Sequence, residues 1–158
     1  MSGAIVIRPI AFVRGGRIEA EDDDWGGHES RIELVPELDP QSLAGLDAFS
    51  HAEILFHFHL VDERKVEMTA RHPRNNRAWP KVGIFAQRGR SRPNRLGSTI
   101  VRVVRVIGRD LIVRELDAID GTPIVDIKPV MAEFLPREPV EQPDWSRELM
   151  RRYWNRPE

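Results

Sequence analysis

Between Ala52 and Leu60 the chain alternates with a period of two. Ile54, Phe56, Phe58 and Leu60 fall on one face, and Glu53, Leu55, His57 and His59 fall on the other. A helix repeats its faces every 3.6 residues, so this pattern specifies a half-buried strand. The reading extends along the chain. Residues 5–13 are β-branched and apolar but broken at Pro9, which suits an edge or interrupted strand. Residues 31–35, 82–86, 99–107, 110–116 and 124–127 are further short strands, the third and fourth of these joined as a hairpin at Gly108. Residues 40–50 carry Leu43, Leu46 and Phe49 at spacing three and predict a short helix. After Pro129, Pro136, Pro139 and Pro143 a last helix is expected from Asp144. Asp144 would be its N-cap, with Trp145, Leu149 and Tyr153 as its apolar stripe. The expectation is a mainly β, small barrel-like single domain over residues 1–136, with a short helix after the second strand. Residues 137–158 form a linker and C-terminal helix that packs on the domain or on a dimer partner.

Charge is distributed unevenly along this frame. Residues 71–105 hold ten Lys or Arg and no Asp or Glu. The chain has 24 basic and 25 acidic residues, so outside this window 14 basic residues face all 25 acidic ones. Such segregation creates a local positive field suited to phosphate or nucleic acid. The bland account is a face neutralised by acids elsewhere in the fold. Interleaved Gly, Pro, Asn and Ser favour loops that aim side chains. With 158 residues one core of useful size is available without staples. No cysteine is present, which excludes disulfides and thiolate metal sites and fits a cytoplasmic protein. No apolar stretch approaches the ~18–20 residues of a membrane span.

Most catalytic signatures are missing. There is no nucleophile elbow, no P-loop and no dinucleotide fingerprint. His57 and His59, on one strand face with His51 or His72 nearby, are a conceivable metal pair. No carboxylate stands at matching spacing, so hydrogen-bonded or ligand-facing histidines are expected and no metal. Two polar loops remain. One runs from Gln87 to Thr99 and presents Arg88, Arg90, Arg92, Asn94 and Arg95. The other presents Asp117 and Asp120-Gly121-Thr122-Pro123, followed by Asp126 and Lys128. Asp-Gly is a turn signal and predicts a hairpin turn there.

The motifs F-H-F-H, R-H-P-R, V-G-I-F-A-Q-R, R-P-N-R-L-G and D-G-T-P-I-V-D-I-K-P occur in that order, preceded by G-L-D-A-F-S-H at 45–51. In this series the chain resembles the bacterial and archaeal tRNA threonylcarbamoyl-adenosine methyltransferases, over roughly residues 5–136. The resemblance implies a β-barrel-like S-adenosylmethionine-dependent enzyme, a homodimer and a tRNA partner. It implies cofactor contacts from His59, Leu60, Arg88, Ser98 and the stretch Arg114, Glu115, Leu116 and Asp117. Arg74, Arg90, Arg92, Asn94, Arg95 and Lys128 are expected toward the target nucleotide, with a structural Arg–Asp network as the competing account. Carboxylates such as Asp117 suit ribose or amine groups, and arginines suit the methionyl carboxylate. Methyl transfer needs alignment more than proton chemistry. Asp126 or Asp120 is the candidate base if one is used. The chain departs from the family at Arg95-Leu96, which replace Pro-Ile, and at Val130, which replaces an aromatic. Its N-terminal cap is replaced by Arg14-Gly15-Gly16 and Asp24-Trp25-Gly26, where Trp25 would either stack on adenine or sit in the core. The implied reaction is methylation of the exocyclic amine of threonylcarbamoyl-adenosine beside the anticodon. The alternatives are another acceptor, small molecule or RNA, and a module that binds S-adenosylmethionine or RNA without turnover.

Overall fold

The computed structural model describes residues 3–156. Among these residues eight strands form: β1 (Ala11–Arg14), β2 (Glu29–Leu34), β3 (His51–His57), β4 (Ala70–Arg71), β5 (Val82–Gly83), β6 (Leu96–Ile107), β7 (Asp110–Arg114) and β8 (Pro123–Pro129). Six of them close an antiparallel barrel in the order β1-β2-β7-β6-β3-β8, and β4-β5 make a separate two-stranded ribbon. Among the described residues no helix is long and apolar enough to cross a membrane.

Alternation fills the barrel. Ala11 and Val13, Ile32 and Leu34, Ala52, Ile54 and Phe56, Val101 and Val103, Leu111 and Val113, and Ile124 point inward and are buried. Six strands enclose a narrow lumen, which these aliphatic side chains and the Phe56 ring fill. Gly97 on β6 belongs to this packing. A Cβ there would lie 2.5 Å from the Phe56 ring and 2.9 Å from that of Phe58.

Several elements differ from the sequence reading. Of residues 5–13 only the end pairs: Ile10 donates to the Ile124 carbonyl at 2.8 Å, and the strand proper begins at Ala11, between β2 and β8. Ile5 and Val6 are exposed. The helix expected over residues 40–50 is two 3-10 turns, Pro40–Leu43 and Leu46–Ala48, split by Gly45 at φ 85°. The spacing of three is the 3-10 repeat itself, and Leu43 is buried in the core. Only Val82–Gly83 pairs within residues 82–86, the rest being a 3-10 turn. β6 starts three residues earlier than expected, β7 stops at Arg114, and β8 runs on to Pro129. The Asp-Gly turn does not join a hairpin. Residues 115–122 cross the end of the barrel from β7 to β8, and Gly121 donates to the Val13 carbonyl at 2.8 Å. The final helix, α1 (Asp144–Leu149), has Asp144 as its first residue after Pro143, without a side-chain cap. Tyr153 lies beyond its end.

The C-terminal segment returns to the barrel. The backbone N–H groups of Asp24, Trp25 and Gly26 donate to the carbonyls of Arg152, Tyr153 and Asn155 at 3.1, 2.8 and 2.9 Å. Gly26 is required by this contact, since a Cβ there would stand 1.9 Å from the Trp154 oxygen.

Candidate active site

One large cleft, about 1570 Å³, opens between the outer face of β3 and β6, the β4-β5 ribbon with its following loop, residues 117–119, and the C-terminal segment. Pockets for a single drug-sized molecule run to roughly 1,000 Å³. This one has room for a nucleoside cofactor and part of a second nucleoside.

Basic and acidic side chains both line it, and what distinguishes the arginines is which of them are paired. Arg88 donates to the Ser98 carbonyl, and Arg90 donates to that of Ala20 at 3.3 Å. Arg71 lines the cleft with its buried Nε lacking any hydrogen-bond partner. None of the three pairs with a carboxylate among the described residues. Arg74 does, forking onto Asp23 at 2.9 and 3.2 Å. Arg95 is likewise tied to Glu63 at 2.9 Å and to the Val61 carbonyl. The basic window is therefore divided: part is the self-neutralised network, and part is a free cationic wall.

The carboxylates lining the cleft are Glu21, Asp22, Glu53, Asp62 and, held by two hydroxyls, Asp117. Its two oxygens accept from the Thr99 hydroxyl and from the Tyr153 hydroxyl. Burial and the neighbouring Asp117 charge push the Tyr153 phenol well above its ordinary range, so it stays a donor. Glu53 accepts from the Ser98 hydroxyl at 2.9 Å. Gln87, buried, donates to the carbonyls of Arg71 and Val82 at 3.0 Å and ties the ribbon to the loop carrying Arg88.

Of the residues expected around a cofactor, His59, Leu60, Arg88, Ser98, Asp117 and Trp25 line the cleft, as do Arg74 and Arg90. Trp25 is almost fully buried, and the Arg17 guanidinium covers its ring at 3.9 Å. The rest lie elsewhere. Leu116 is in the core, Arg114 faces outward beside Glu29, and Glu115 accepts from the Gly27 N–H. Arg92 donates to the Gln87 carbonyl, and Asn94 holds a left-handed turn at φ 62°. Asp120 accepts from the Gly15 N–H, while Asp126 pairs with Lys128 at 2.7 Å on β8. The strand stops at His57, and His59 lies in the following turn, so the two rings do not share a strand face. Among the described residues no group of three His, Cys, Asp or Glu side chains converges for a metal. Sequence reasoning missed Arg71, Thr99 and Tyr153. Arg71 stood inside the basic window, whereas the 36-residue span from Asp117 to Tyr153 left no local signal.

The fold is a small closed antiparallel barrel with an arginine- and carboxylate-lined cleft on its outer face. Residues 23–134 match the tRNA-methyltransferase O N-terminal domain family, and the chain belongs to it. It is 38% identical over 141 residues to a probable S-adenosyl-L-methionine-binding protein of Pyrococcus abyssi, covering 86% of this chain and 73% of that one. It is 39% identical over 109 residues to the tRNA (adenine(37)-N6)-methyltransferase of Escherichia coli, covering 65% of this chain and 46% of that one. A crystal structure of TrmO from Pseudomonas aeruginosa superposes with TM-score 0.67 at 26% identity, over 87% of this chain and 62% of that one. The chain thus spans under half of the Escherichia coli enzyme, and a fifth of its mouse counterpart.

Proposed function

We propose that this protein is an S-adenosylmethionine-dependent methyltransferase of tRNA, acting on the exocyclic amine of threonylcarbamoyl-adenosine beside the anticodon. The observation that carries the reading is the trio Arg71, Arg88 and Arg90, which face Asp117 across one cleft without carboxylate partners in a chain of this family. The cofactor fits the donor set. An orphaned, buried Arg71 Nε calls for an acceptor such as the methionyl carboxylate, and Asp117 suits hydroxyl or amine donors. When bound, S-adenosylmethionine supplies an already activated methyl group.

The chain's own residues supply position. Arg71 and Arg88 anchor the carboxylate end, and Asp117, fixed by Thr99 and Tyr153, holds a polar group at a defined angle. Phe58, Trp145 and Leu149 line the same cleft and exclude water from it. Arg90 and the exposed Leu60 stand at the acceptor side. Asp120 holds the Gly15 turn and Asp126 pairs with Lys128 along β8, so on this reading neither acts as a base, the proton leaving to solvent after attack. Residues 1–136 are the catalytic unit, and side chains between Gln142 and Trp154 wall its cleft. We also place the protein in the cytoplasm, as a homodimer; the lack of cysteine is consistent with the compartment.

The test is transfer of labelled methyl from S-adenosylmethionine to tRNA bearing threonylcarbamoyl-adenosine, read by mass spectrometry of digested nucleosides, with calorimetry of the cofactor alongside. Product at that nucleoside is expected. Cofactor binding without product moves the acceptor elsewhere, and absence of cofactor binding refutes the reading.

A further inference from the structure

Two arginines of the basic window, Arg102 and Arg105, are absorbed neither by the cleft nor by any ion pair among the described residues. Three residues apart, they would face opposite sides of a regular strand. They do not, because β6 carries a bulge. Val103 pairs with Val113 and Arg105 with Ile112, leaving Val104 as the extra residue. The bulge resets the alternation, so Val106 returns to the core side while Arg102 and Arg105 both emerge, exposed, on the outer face.

Their neighbours sharpen the point. Across the ladder Arg102 stands directly opposite Arg114 of β7 and opposite His51 of β3. Like charges facing each other destabilise a sheet, and here no carboxylate is interposed. Glu29 reaches Arg114 at 3.5 Å and leaves Arg102 unneutralised. The nearby Arg31 is held by Glu33 and Asp110. The patch is continuous with the cleft. Ser98 and Ile100, outward on the same strand, line the cleft, and Arg102 is the next outward residue, about 7 Å further on.

Resting on the reading that tRNA is the acceptor, we infer that Arg102, Arg105 and Arg114 form a second anion-binding surface. It holds the phosphodiester backbone of the tRNA away from the nucleotide in the cleft. Two unpaired cations along β6, which leaves the cleft, with Arg114 beside them on β7, match a polyanion entering it, and a single small anion would not need such a spread.

The test uses the whole chain and fluorescently labelled tRNA, with anisotropy titrations over a range of KCl concentrations. R102A/R105A should bind about tenfold more weakly near 0.1 M salt, with the slope of log affinity against log salt reduced by about 1.5. KM for tRNA should rise by a similar factor at unchanged kcat and unchanged cofactor affinity. Arg102→Lys combined with Arg105→Lys should restore the slope, because a phosphate contact needs charge more than a fork. If the wild type methylates tRNA while the alanine variant keeps its slope and KM, the surface assignment is overturned and the function stands. If the wild type neither binds nor methylates tRNA, both fail.

Discussion

Tyr153 ties the C-terminal segment to the cleft, and Tyr153→Phe isolates that tie, because it removes one hydroxyl and leaves the ring. Asp117 keeps its bond from Thr99 and loses the other. A hydrogen bond to a charged acceptor contributes about 1.5–3 kcal/mol. Taking ~2 kcal/mol, the equilibrium for release of the segment should shift by roughly 30-fold. The barrel is held by its own ladders, so release should be local. Amide exchange reads this directly. The N–H groups of Trp25 and Gly26, which donate to Tyr153 and Asn155, should exchange roughly 30-fold faster, on the same conversion. Those of Val13 and Val103, bonded inside the barrel, should not change. A second readout comes from Tyr153 being the only tyrosine in the chain, so phenolate absorbance reports on it alone. Its raised pKa means the stabilisation is complete below about pH 10 and declines as pH rises above it. The slope approaches ~1.4 kcal/mol per pH unit while the unfolded chain ionises and the folded one does not. An ordinary titration near pH 10, or Trp25 and Gly26 exchange within twofold of wild type, would refute the role given to this contact.

Three other outcomes are expected. Gly97→Ala should destabilise the barrel by about 1–3 kcal/mol, seen as a lower urea midpoint at unchanged m, because the new methyl must displace Phe56 and Phe58. Burial first, then the Arg95 and His59 charges, lower the His57 pKa. Stability should therefore fall as pH drops below about 6.5, where the unfolded chain takes up the proton first, and His57→Gln should flatten that part of a melting-temperature profile. Arg71→Met should weaken S-adenosylmethionine binding by about 10–100-fold in calorimetry, with little change in melting temperature, since Arg71 Nε has no partner in the protein to lose.

The alternation from Ala52 was enough to read β3, because a barrel strand has one dry face and one wet one. It could not show where β1 begins. A β-branched run such as residues 5–10 states a preference, and only its end, Ile10, and the following Ala11 and Phe12 find partners in β8, more than a hundred residues downstream. The Asp-Gly pair makes its turn, but the strands on either side of it, β7 and β8, are not neighbours in the barrel, which no local signal could show. Leu43, Leu46 and Phe49 at spacing three specify a short helix, and the structure makes it as two 3-10 turns because Gly45 interrupts it. At the site, the arginines were visible as a block, yet the sequence could not say which are spent on Asp23 and Glu63 and which remain free. The bulge at Val104 was invisible because Val103 and Val104 look like an ordinary strand pair of residues. Only the ladder across to β7 separates them.

Closure of the barrel also has a consequence for biosynthesis. β2 finds its second neighbour only in β7, about 80 residues later in the chain, and β1 finds its own only in β8. At about 5–20 residues per second of translation, the β1-β2 hairpin waits roughly 4–16 s before Asp110–Arg114 can dock on it. During that interval its edges are unpaired and its inward faces, Val13, Ile32 and Leu34, are wet. The nascent chain is at its most adhesive in that window, and a slower codon stretch between β2 and β7 would lengthen the exposure without altering a single residue of the finished molecule.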